Sequence, residues 1–337
     1  MSTTSLDFKN KTSGKIDKIF RPLNFFSELR MSRVTWFPGH MVKAASAIEA
    51  MVRQTQLVIE VRDSRVPLSS INPAFEEMIE VNNRQRIIIM NKADLIKKTD
   101  QTEIRRYIQE KQGSKVVFAS AKWQSKRVSR LVSTDIFSNL KSPDFRHIGG
   151  LAVVVGMPNV GKSSIINLLR GNMANKTRKG KRKFGKRNLI YRSNVAKTGA
   201  LPGLTRSLSP IKISREPPVY LYDSPGIMIP RIESEDIGMR LALAGIIPDK
   251  VVPTEKMVAH LLNIMTESKN LDYISELKLS DKDQNLDPEV VYNIVAKNIG
   301  RVGQNAQLDA ARHILSKFRK GKFGHFMLDS YYPDNTK

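Results

Sequence analysis

Short apolar runs recur between residues 56 and 222, and each one ends at a polar or glycine-rich turn. Runs that are apolar at nearly every position are typical of strands buried on both faces of a parallel sheet. Segments with helical spacing separate these runs, as at residues 73–81. Because strands alternate with helices, the pattern predicts a doubly wound α/β sheet with its site at the carboxyl ends of the strands. The predicted strands are residues 56–61, 86–90, 115–119, 151–155 and 218–222.

Beyond residue 237 the apolar residues recur at i, i+3, i+4 and i+7, the spacing that forms a stripe along one face of a helix. Asp287 followed by Pro288 is typical of a helix start, and Gly300 of its end. We therefore predict a sheet domain over residues 33–236, followed by a small all-helical C-terminal domain over residues 237–337. The two clearest stripes are Val258, Leu261, Leu262 and Met265, and Leu308, Ala311, Leu315 and Phe318.

The chain is strongly basic, since its 337 residues include 56 Lys and Arg against 32 Asp and Glu, a formal net charge of +24. Lysines and arginines that neutralise phosphates release counterions, so this excess favours a nucleic-acid partner, with an inert basic surface as the alternative. The absence of cysteine excludes disulfides and thiolate zinc sites. No apolar run approaches the roughly 20 residues that span a bilayer, so we expect no transmembrane segment.

Basic residues are concentrated in three segments. Residues 1–32 form a basic, partly amphipathic arm, which is compatible with a mitochondrial targeting segment and equally with a basic tail. Residues 172–206 contain no acid, and we expect this insertion to be disordered when free and to order on RNA; a nuclear-localisation patch is the competing interpretation. The last predicted helix ends in Lys317, Arg319, Lys320 and Lys322, which suit phosphate contacts and equally an ordinary solvated helix end.

A phosphate-binding loop follows the fourth predicted strand. Residues 156–163 read Gly-Met-Pro-Asn-Val-Gly-Lys-Ser and fit G-x-x-x-x-G-K-[ST], between a strand and a helix as this motif requires. Its glycines allow backbone N–H groups to surround phosphates, and the helix N-terminus adds positive potential. We expect Lys162 to reach the β and γ phosphates and the Ser163 hydroxyl to bind Mg²⁺. The predicted nucleotide-binding residues here are Gly156, Pro158, Asn159, Val160, Gly161, Lys162, Ser163 and Ser164.

A motif that selects the base follows the second predicted strand and reads Asn91-Lys-Ala-Asp94. The Asp94 carboxylate can accept from the ring N–H and the exocyclic amine of guanine, a pair of donors that adenine does not present. We expect Asn91 to bond the opposite base edge and the stem of Lys92 to cover the ring face. Without its donors a buried carboxylate is costly, so discrimination against ATP should be large. The next strand ends at Ser120, Ala121 and Lys122, where a backbone N–H is predicted to bond the guanine O6.

Two further elements are candidates for the metal and the γ-phosphate. Asp223-Ser-Pro-Gly226 follows the fifth predicted strand; we expect Asp223 to hold Mg²⁺ through water and the Gly226 N–H to sense the γ-phosphate. Thr205 is the candidate switch threonine for the same metal. A plain turn or loop is the alternative interpretation of both.

The order of these motifs is unusual, because the base-reading motif precedes the phosphate loop, whereas in ordinary small GTPases it follows. The same sheet forms if the old termini are joined by residues 123–149 and the chain is opened elsewhere. The chain thus resembles the circularly permuted GTPases, and more closely the ribosome-biogenesis GTPases of bacteria and their mitochondrial counterparts, over about residues 33 to 325. The resemblance rests on Trp36-Phe-Pro-Gly-His-Met41, Asp63-Ser-Arg-Val-Pro67 with Asn72-Pro73, Leu241-Ala-Leu-Ala-Gly245, and Asp309-Ala-Ala311 with Phe318-Arg319-Lys-Gly321-Lys322.

The resemblance bears on catalysis. Ile227 follows Gly226 where signalling GTPases carry a water-orienting glutamine, and an apolar residue there is the pattern of the resembling family. Hydrolysis therefore needs other help, for which His40 is a candidate; a structural histidine is the alternative. An asparagine at the Asn159 position can help to hold a monovalent cation in similar GTPases, which makes K⁺ a candidate cofactor. The predicted catalytic residues are Lys162, His40, Thr205 and Gly226.

The resemblance also implies a factor that matures the large ribosomal subunit, which agrees with the basic charge. We expect a monomeric GTPase of the mitochondrial matrix that binds GTP, GDP and Mg²⁺ and contacts rRNA and ribosomal proteins. A peripheral contact with the inner membrane is compatible with the sequence. The alternatives are a cytosolic or nucleolar assembly GTPase, and an rRNA-binding scaffold that holds GTP with little turnover.

Overall fold

A computed structural model of the chain describes residues 39–122, 150–178, 210–215, 218–229, 232–280 and 287–329. The side chains of residues 39–40, 171–178 and 214–215 lie outside this description. The predicted arm, the connection over residues 123–149 and most of the predicted insertion also lie outside it. So does the candidate switch threonine, Thr205.

Six strands form one sheet within the described residues, in the order β3-β2-β1-β4-β6-β5. All neighbouring strands pair in parallel except β5 and β6, which are antiparallel. The five predicted strands correspond to β1, β2, β3, β4 and β6, and the edge strand β5 is an addition. The bounds are β1 (Leu57–Asp63), β2 (Gln85–Asn91), β3 (Lys115–Phe118), β4 (Gly150–Val155), β5 (Ile211–Arg215) and β6 (Pro218–Asp223).

Helices cover both faces of the sheet and make up the C-terminal part of the described chain. The Asp287 carboxylate accepts from the Glu289 N–H at 2.8 Å, which confirms the predicted helix start. Gly300 follows the end of the same helix with φ 68°. The bounds are α1 (Gly39–Gln54), α2 (Pro73–Val81), α3 (Lys98–Gln112), α4 (Lys162–Arg178), α5 (Glu235–Leu243), α6 (Thr254–Glu267), α7 (Asp272–Leu277), α8 (Pro288–Asn298) and α9 (Ala306–Arg319).

The largest apolar core joins one face of the sheet to the C-terminal helices. Buried side chains from the strands, such as Ile59 and Val154, belong to the same cluster as Leu261, Ile314 and Phe318 from the helices. A separate cluster on the other face packs α1 and α2 against the sheet. The C-terminal helices therefore share their core with the sheet. The predicted domain boundary near residue 237 stays a prediction.

The predicted insertion begins inside a helix. Helix α4 starts at Lys162 in the phosphate loop and continues to Arg178, so residues 172–178 extend it instead of forming a loop. The expectation that the insertion is disordered when free and orders on RNA stays a prediction.

Strand pairing gathers the polar ends of the central strands at one edge of the sheet. Asp63 at the end of β1 lies opposite Asn91 at the end of β2. On the other side of β4, Val154 lies opposite Asp223 at the end of β6. Since these pairs are parallel, the phosphate loop, the base-reading motif and the Asp223 turn all begin at the carboxyl edge that the sequence predicts for the site.

Candidate nucleotide site

The phosphate loop packs so tightly against its neighbours that two of its positions require glycine. Gly156 has φ 148°, and a Cβ there would collide with the carbonyl oxygen of Val61 in strand β1. Gly161 has φ 96°, and a Cβ there would collide with the Asn91 amide nitrogen. Both φ values lie in the region that favours glycine, so the two close contacts add to a backbone requirement.

The amine of Lys162 is held against the backbone of the phosphate loop. Its Nζ donates to the carbonyl oxygens of Gly156 at 3.1 Å and Met157 at 2.8 Å. Burial lowers the pKa of Lys162 to about 8, although the nearby Asp223 carboxylate opposes this shift. A site that holds a buried lysine without full charge compensation is suited to a ligand that brings negative charge, such as a nucleotide phosphate.

Ser163 and Asp223 are two oxygen-bearing side chains beside this lysine. The Ser163 hydroxyl donates to Asp223 Oδ2 at 2.9 Å, while Asp223 Oδ1 is buried with no hydrogen-bond partner among the described residues. Burial raises the pKa of Asp223, and the Ser163 hydrogen bond and Lys162 oppose that shift. A hydroxyl and an orphaned carboxylate oxygen are the hard donors that Mg²⁺ prefers, so these residues fit the predicted metal.

The described residues contain no group of three or more His, Cys, Asp or Glu that could hold a metal by itself. A magnesium ion bound through Ser163 and Asp223 therefore needs further oxygen ligands, which nucleotide phosphates and water can supply.

Asn91 bridges three loops of the site. Its side-chain amide donates to the carbonyl oxygen of Val160 in the phosphate loop at 2.8 Å. Its side-chain oxygen accepts from the Ala121 N–H at 3.1 Å, and its backbone carbonyl accepts from the Ser64 N–H at 2.9 Å. The structure thus gives Asn91 a linking role that the sequence did not suggest, and its contact with the base stays a prediction.

The remaining residues of the base-reading motif turn sharply after strand β2. Lys92 has φ 59°, and Asp94 is half-buried in the 3₁₀ turn Ala93–Leu95. The Ala93 N–H donates to the Ala119 carbonyl at 3.0 Å, which ties this turn to the segment of Ser120, Ala121 and Lys122. The two predicted base-binding segments therefore lie side by side.

The Asp223 turn packs on the phosphate loop and then enters the core. A Cβ on Gly226 would lie 2.7 Å from the Pro158 Cα and 3.0 Å from Lys162 Nζ. The next residue, Ile227, is completely buried in the cluster beneath α1 and α2. Its carbonyl accepts from the side chain of Asn72 at 3.2 Å. An apolar side chain in this position cannot orient water, which agrees with the expectation that hydrolysis needs other help.

His40 and Thr205 stay predictions. His40 lies in the first turn of helix α1, but its side chain is outside the described part of the chain. Thr205 lies outside it entirely. Helix α1 nevertheless packs on the cluster that contains Ile227, so its start and the Asp223 turn share one packed layer.

Two groups of residues that were predicted to bind ligands form contacts within the protein. The Asn159 amide donates to the Gly245 carbonyl at 2.8 Å, which fixes this side chain, and its oxygen is the atom that could bind a monovalent cation. In the last helix, Lys317 pairs with Glu276, and Arg319 pairs with Asp249 at 2.6 Å. The predicted basic helix end is therefore partly neutralised within the protein.

Sequence reasoning used three polar residues only as signs of resemblance, although the structure places them in or beside the site. Asp63 and Arg65 are buried next to Lys92, and Asn72 caps helix α2 while it holds the segment after Gly226. For Asn72 the signal was present, because asparagine before proline is typical of a helix start. For Asp63 and Arg65 the only local sign was a pair of opposite charges where a largely apolar strand ends.

The strand order, the motifs and their sequence along the chain define a P-loop GTPase domain whose motif order is circularly permuted. A family model described as "50S ribosome-binding GTPase" matches residues 151–294. Mitochondrial ribosome-associated GTPase 1 of Mus musculus is 32% identical over 315 residues, covering 87% of this chain and 89% of that protein. Ribosome biogenesis GTPase A of Bacillus cereus is 28% identical, covering 88% of this chain and 94% of that protein.

Among solved structures, the GNP-bound YlqF from T. maritima has the same fold, with a TM-score of 0.54 at 21% identity over 85% of this chain and 97% of that chain. The chain belongs to the family of circularly permuted ribosome-biogenesis GTPases that includes mitochondrial ribosome-associated GTPase 1, and it is a GTP hydrolase. The predicted family and fold class are confirmed.

Proposed function

We propose that the protein hydrolyses GTP to GDP and phosphate while it assists maturation of the large subunit of the mitochondrial ribosome, and so supports mitochondrial translation. The observation that carries this proposal is the joining of the base-reading motif to the phosphate loop by Asn91, through Val160 and Ala121, in a permuted chain. The relatives from Mus musculus and Aedes aegypti, named Mitochondrial ribosome-associated GTPase 1 and Mitochondrial GTPase 1, support the compartment.

Each chemical role in GTP binding and hydrolysis is assigned to a residue of this chain. Lys162 and the backbone of the phosphate loop bind the phosphates, and Asp94 selects guanine. Ser163 and Asp223 would hold Mg²⁺, which would neutralise charge that develops on the phosphates. The Gly226 N–H senses the γ-phosphate.

Two further residues complete the proposal for catalysis. Thr205 would be a further ligand of the metal when GTP is bound, and His40 would position the attacking water because Ile227 cannot. The side-chain oxygen of Asn159 would hold a monovalent cation, K⁺, which would add positive charge beside the phosphates.

The partner that fits the charge is the RNA of the large subunit. A formal charge of +24 favours a polyanion, and the residues of the insertion that follow helix α4 supply a dense basic segment. We place the protein in the mitochondrial matrix as a monomer, with peripheral contact to the inner membrane. No helix in the described ranges has both the length and the apolar character needed to cross a membrane.

GTP turnover with and without purified mitochondrial large subunits tests the proposal. We expect slow hydrolysis by the free protein and faster hydrolysis with the subunit, because nothing at the Ile227 position orients water. The small subunit at the same RNA concentration is the control. Equal turnover under all conditions with tight GTP binding would favour the scaffold alternative, and acceleration by cytosolic but not mitochondrial large subunits would contradict the assigned compartment.

A further inference from the structure

The carboxyl end of helix α5 contacts the nucleotide site at two separate points. The last turn of any helix leaves carbonyl groups without helical partners, and their partial negative charge suits cationic or amide donors. Here side chains donate to four consecutive carbonyls of residues 242–245. The donors are Arg319 Nη2 to Ala242 at 2.8 Å, Arg319 Nε to Leu243 at 3.1 Å, Arg65 Nη2 to Ala244 at 2.8 Å and Asn159 Nδ2 to Gly245 at 2.8 Å.

Arg65 connects this helix end to a buried carboxylate. Besides its bond to Ala244, the guanidinium donates to Asp63 Oδ1 at 3.0 Å and to Asp63 Oδ2 at 2.7 Å. It also lies 5.8 Å from the centre of the Phe318 ring in helix α9. The carbonyl of Arg65 accepts from the Leu328 N–H at 2.8 Å. Arg65 is therefore fixed by three separate parts of the C-terminal region.

Asp63 connects Arg65 to Lys92 of the base-reading motif. Its carboxylate is fully buried, and Lys92 Nζ donates to Oδ2 at 2.7 Å and to the Asn159 carbonyl at 3.2 Å. Burial would raise the pKa of Asp63, but the charges of Arg65 and Lys92 outweigh it and hold this pKa far below its usual range. The carboxylate thus stays ionised and keeps the lysine oriented.

The contact with Asp63 also favours the charged form of Lys92. Burial lowers the pKa of Lys92, Asp63 opposes that shift, and the positive charges of Arg65 and Arg319 add to it. Without Asp63 the lysine would face two guanidinium groups with no compensating charge, so it would lose both its orientation and part of its charge.

We propose that Asp63 and Arg65 are positioning residues for Lys92, and that through them and Asn159 the end of helix α5 links nucleotide affinity to the docking of the C-terminal helices. The inference rests on the GTP binding of the proposed function. Helix α5 begins shortly after the Asp223 turn, so this turn and the end of the helix belong to one continuous stretch of chain. Because coupling between two sites is reciprocal, a bound nucleotide should in turn hold the helix end in place.

A double-mutant cycle on the affinity for Mg·GDP tests the chain of contacts. We expect Asp63→Asn and Lys92→Met each to lower the affinity by about 10-fold, a size typical of coupled sites. If Asp63 acts through Lys92, the double variant loses no more than the larger single loss. Additive losses, about 100-fold in the double variant, would overturn the proposal because they show independent roles.

Glu60→Gln is the matched control. Glu60 lies in the same strand, is 1% exposed like its partner Arg62, and accepts from that guanidinium at 2.6 and 2.9 Å, but away from the site. This variant disrupts a comparable buried pair, and we expect its Mg·GDP affinity to stay within about 2-fold of wild type. If Glu60→Gln lost as much affinity as Asp63→Asn, the Asp63→Asn loss would reflect general destabilisation, and the proposal would be overturned.

Arg65→Lys tests the same proposal if the Asp63→Asn variant does not fold. It keeps the positive charge but cannot reproduce the two parallel bonds to Asp63 together with the bond to Ala244, since an ammonium lacks the planar fork of a guanidinium. We expect about a 10-fold loss of Mg·GDP affinity in the wild-type background and none in the Lys92→Met background; losses in both backgrounds would overturn the proposal. Failure of the wild-type protein to bind Mg·GDP would instead refute the proposed function.

Discussion

The charge of Lys162 should depend on whether a nucleotide is bound, and this dependence can be measured as protons taken up. Burial lowers the pKa of this amine to about 8 in the empty site. At pH 9 about 0.9 of the empty sites then hold a neutral lysine, against about 0.1 at pH 7. Phosphates in contact with the amine favour its charged form and restore a high pKa. Binding should therefore take up about 0.9 proton per nucleotide at pH 9 and about 0.1 at pH 7.

The sign of the effect follows from the direction of the shift. Because the folded pKa of Lys162 lies below the unfolded value, the unfolded chain holds more protons between pH 8 and pH 10. The free energy of unfolding of the empty protein should therefore rise with pH in this window. Nucleotide affinity should fall over the same window, since each binding event must then recharge the amine.

Calorimetric titration with Mg·GDP in two buffers of different ionisation enthalpy measures the uptake directly. Lys162→Arg is the main control, because arginine keeps its charge at pH 9 and should bind nucleotide without uptake. Lys92→Arg tests the half-buried lysine of the base-reading motif, whose pKa is also lowered. Uptake that is equal at pH 7 and pH 9, or that persists in Lys162→Arg, would refute the assignment of a partly neutral Lys162 to the empty site.

Three further predictions concern the base, the loop and catalysis. Asp94→Asn should weaken GTP binding and favour xanthosine triphosphate, whose extra carbonyl accepts from the new amide; unchanged GTP affinity in a titration would remove Asp94 from the site. Gly161→Ala should lower GTP affinity at least 10-fold with little loss of helical circular dichroism, because the new methyl group displaces the Asn91 amide. Gly113→Ala is the control for backbone strain alone, since Gly113 has φ 60° and open space around its Cβ position. His40→Ala should slow turnover with nearly unchanged nucleotide affinity, and wild-type turnover should be faster in potassium than in sodium; lost affinity, or equal rates at matched ionic strength, would contradict these two expectations.

The elements that could be predicted from sequence are those whose physical cause is local. The largely apolar runs of β1, β2 and β4 follow from burial on both faces, and the glycines of the phosphate loop follow from close backbone contacts. Strand β5 was missed because Ile211–Arg215 is an edge strand with alternating polarity and a register shift against β6. Such a short alternating segment has no distinctive pattern next to a basic insertion.

The missed contacts are those that join distant parts of the chain. The bond from Arg65 to Ala244 spans 179 residues, and nothing in either local sequence reveals it. Arg319 looked like a surface cation suited to phosphate because its carboxylate partner, Asp249, lies 70 residues away. A charged residue can be assigned to a ligand or to an internal partner only when the fold shows which opposite charge lies beside it.

The permuted order places the segment after Asp223 between two packed layers. Ile227 is buried against helices α1 and α2, and the Asn72 side chain holds its carbonyl. Helix α5, which begins a few residues later, ends on Asn159 and Arg65 at the nucleotide site. A shift of this segment on loss of the γ-phosphate must therefore disturb the packing under α1, the contacts at the end of α5, or both. Since packed interfaces rearrange between discrete states, the GTP and GDP forms should present different C-terminal surfaces to the ribosomal subunit.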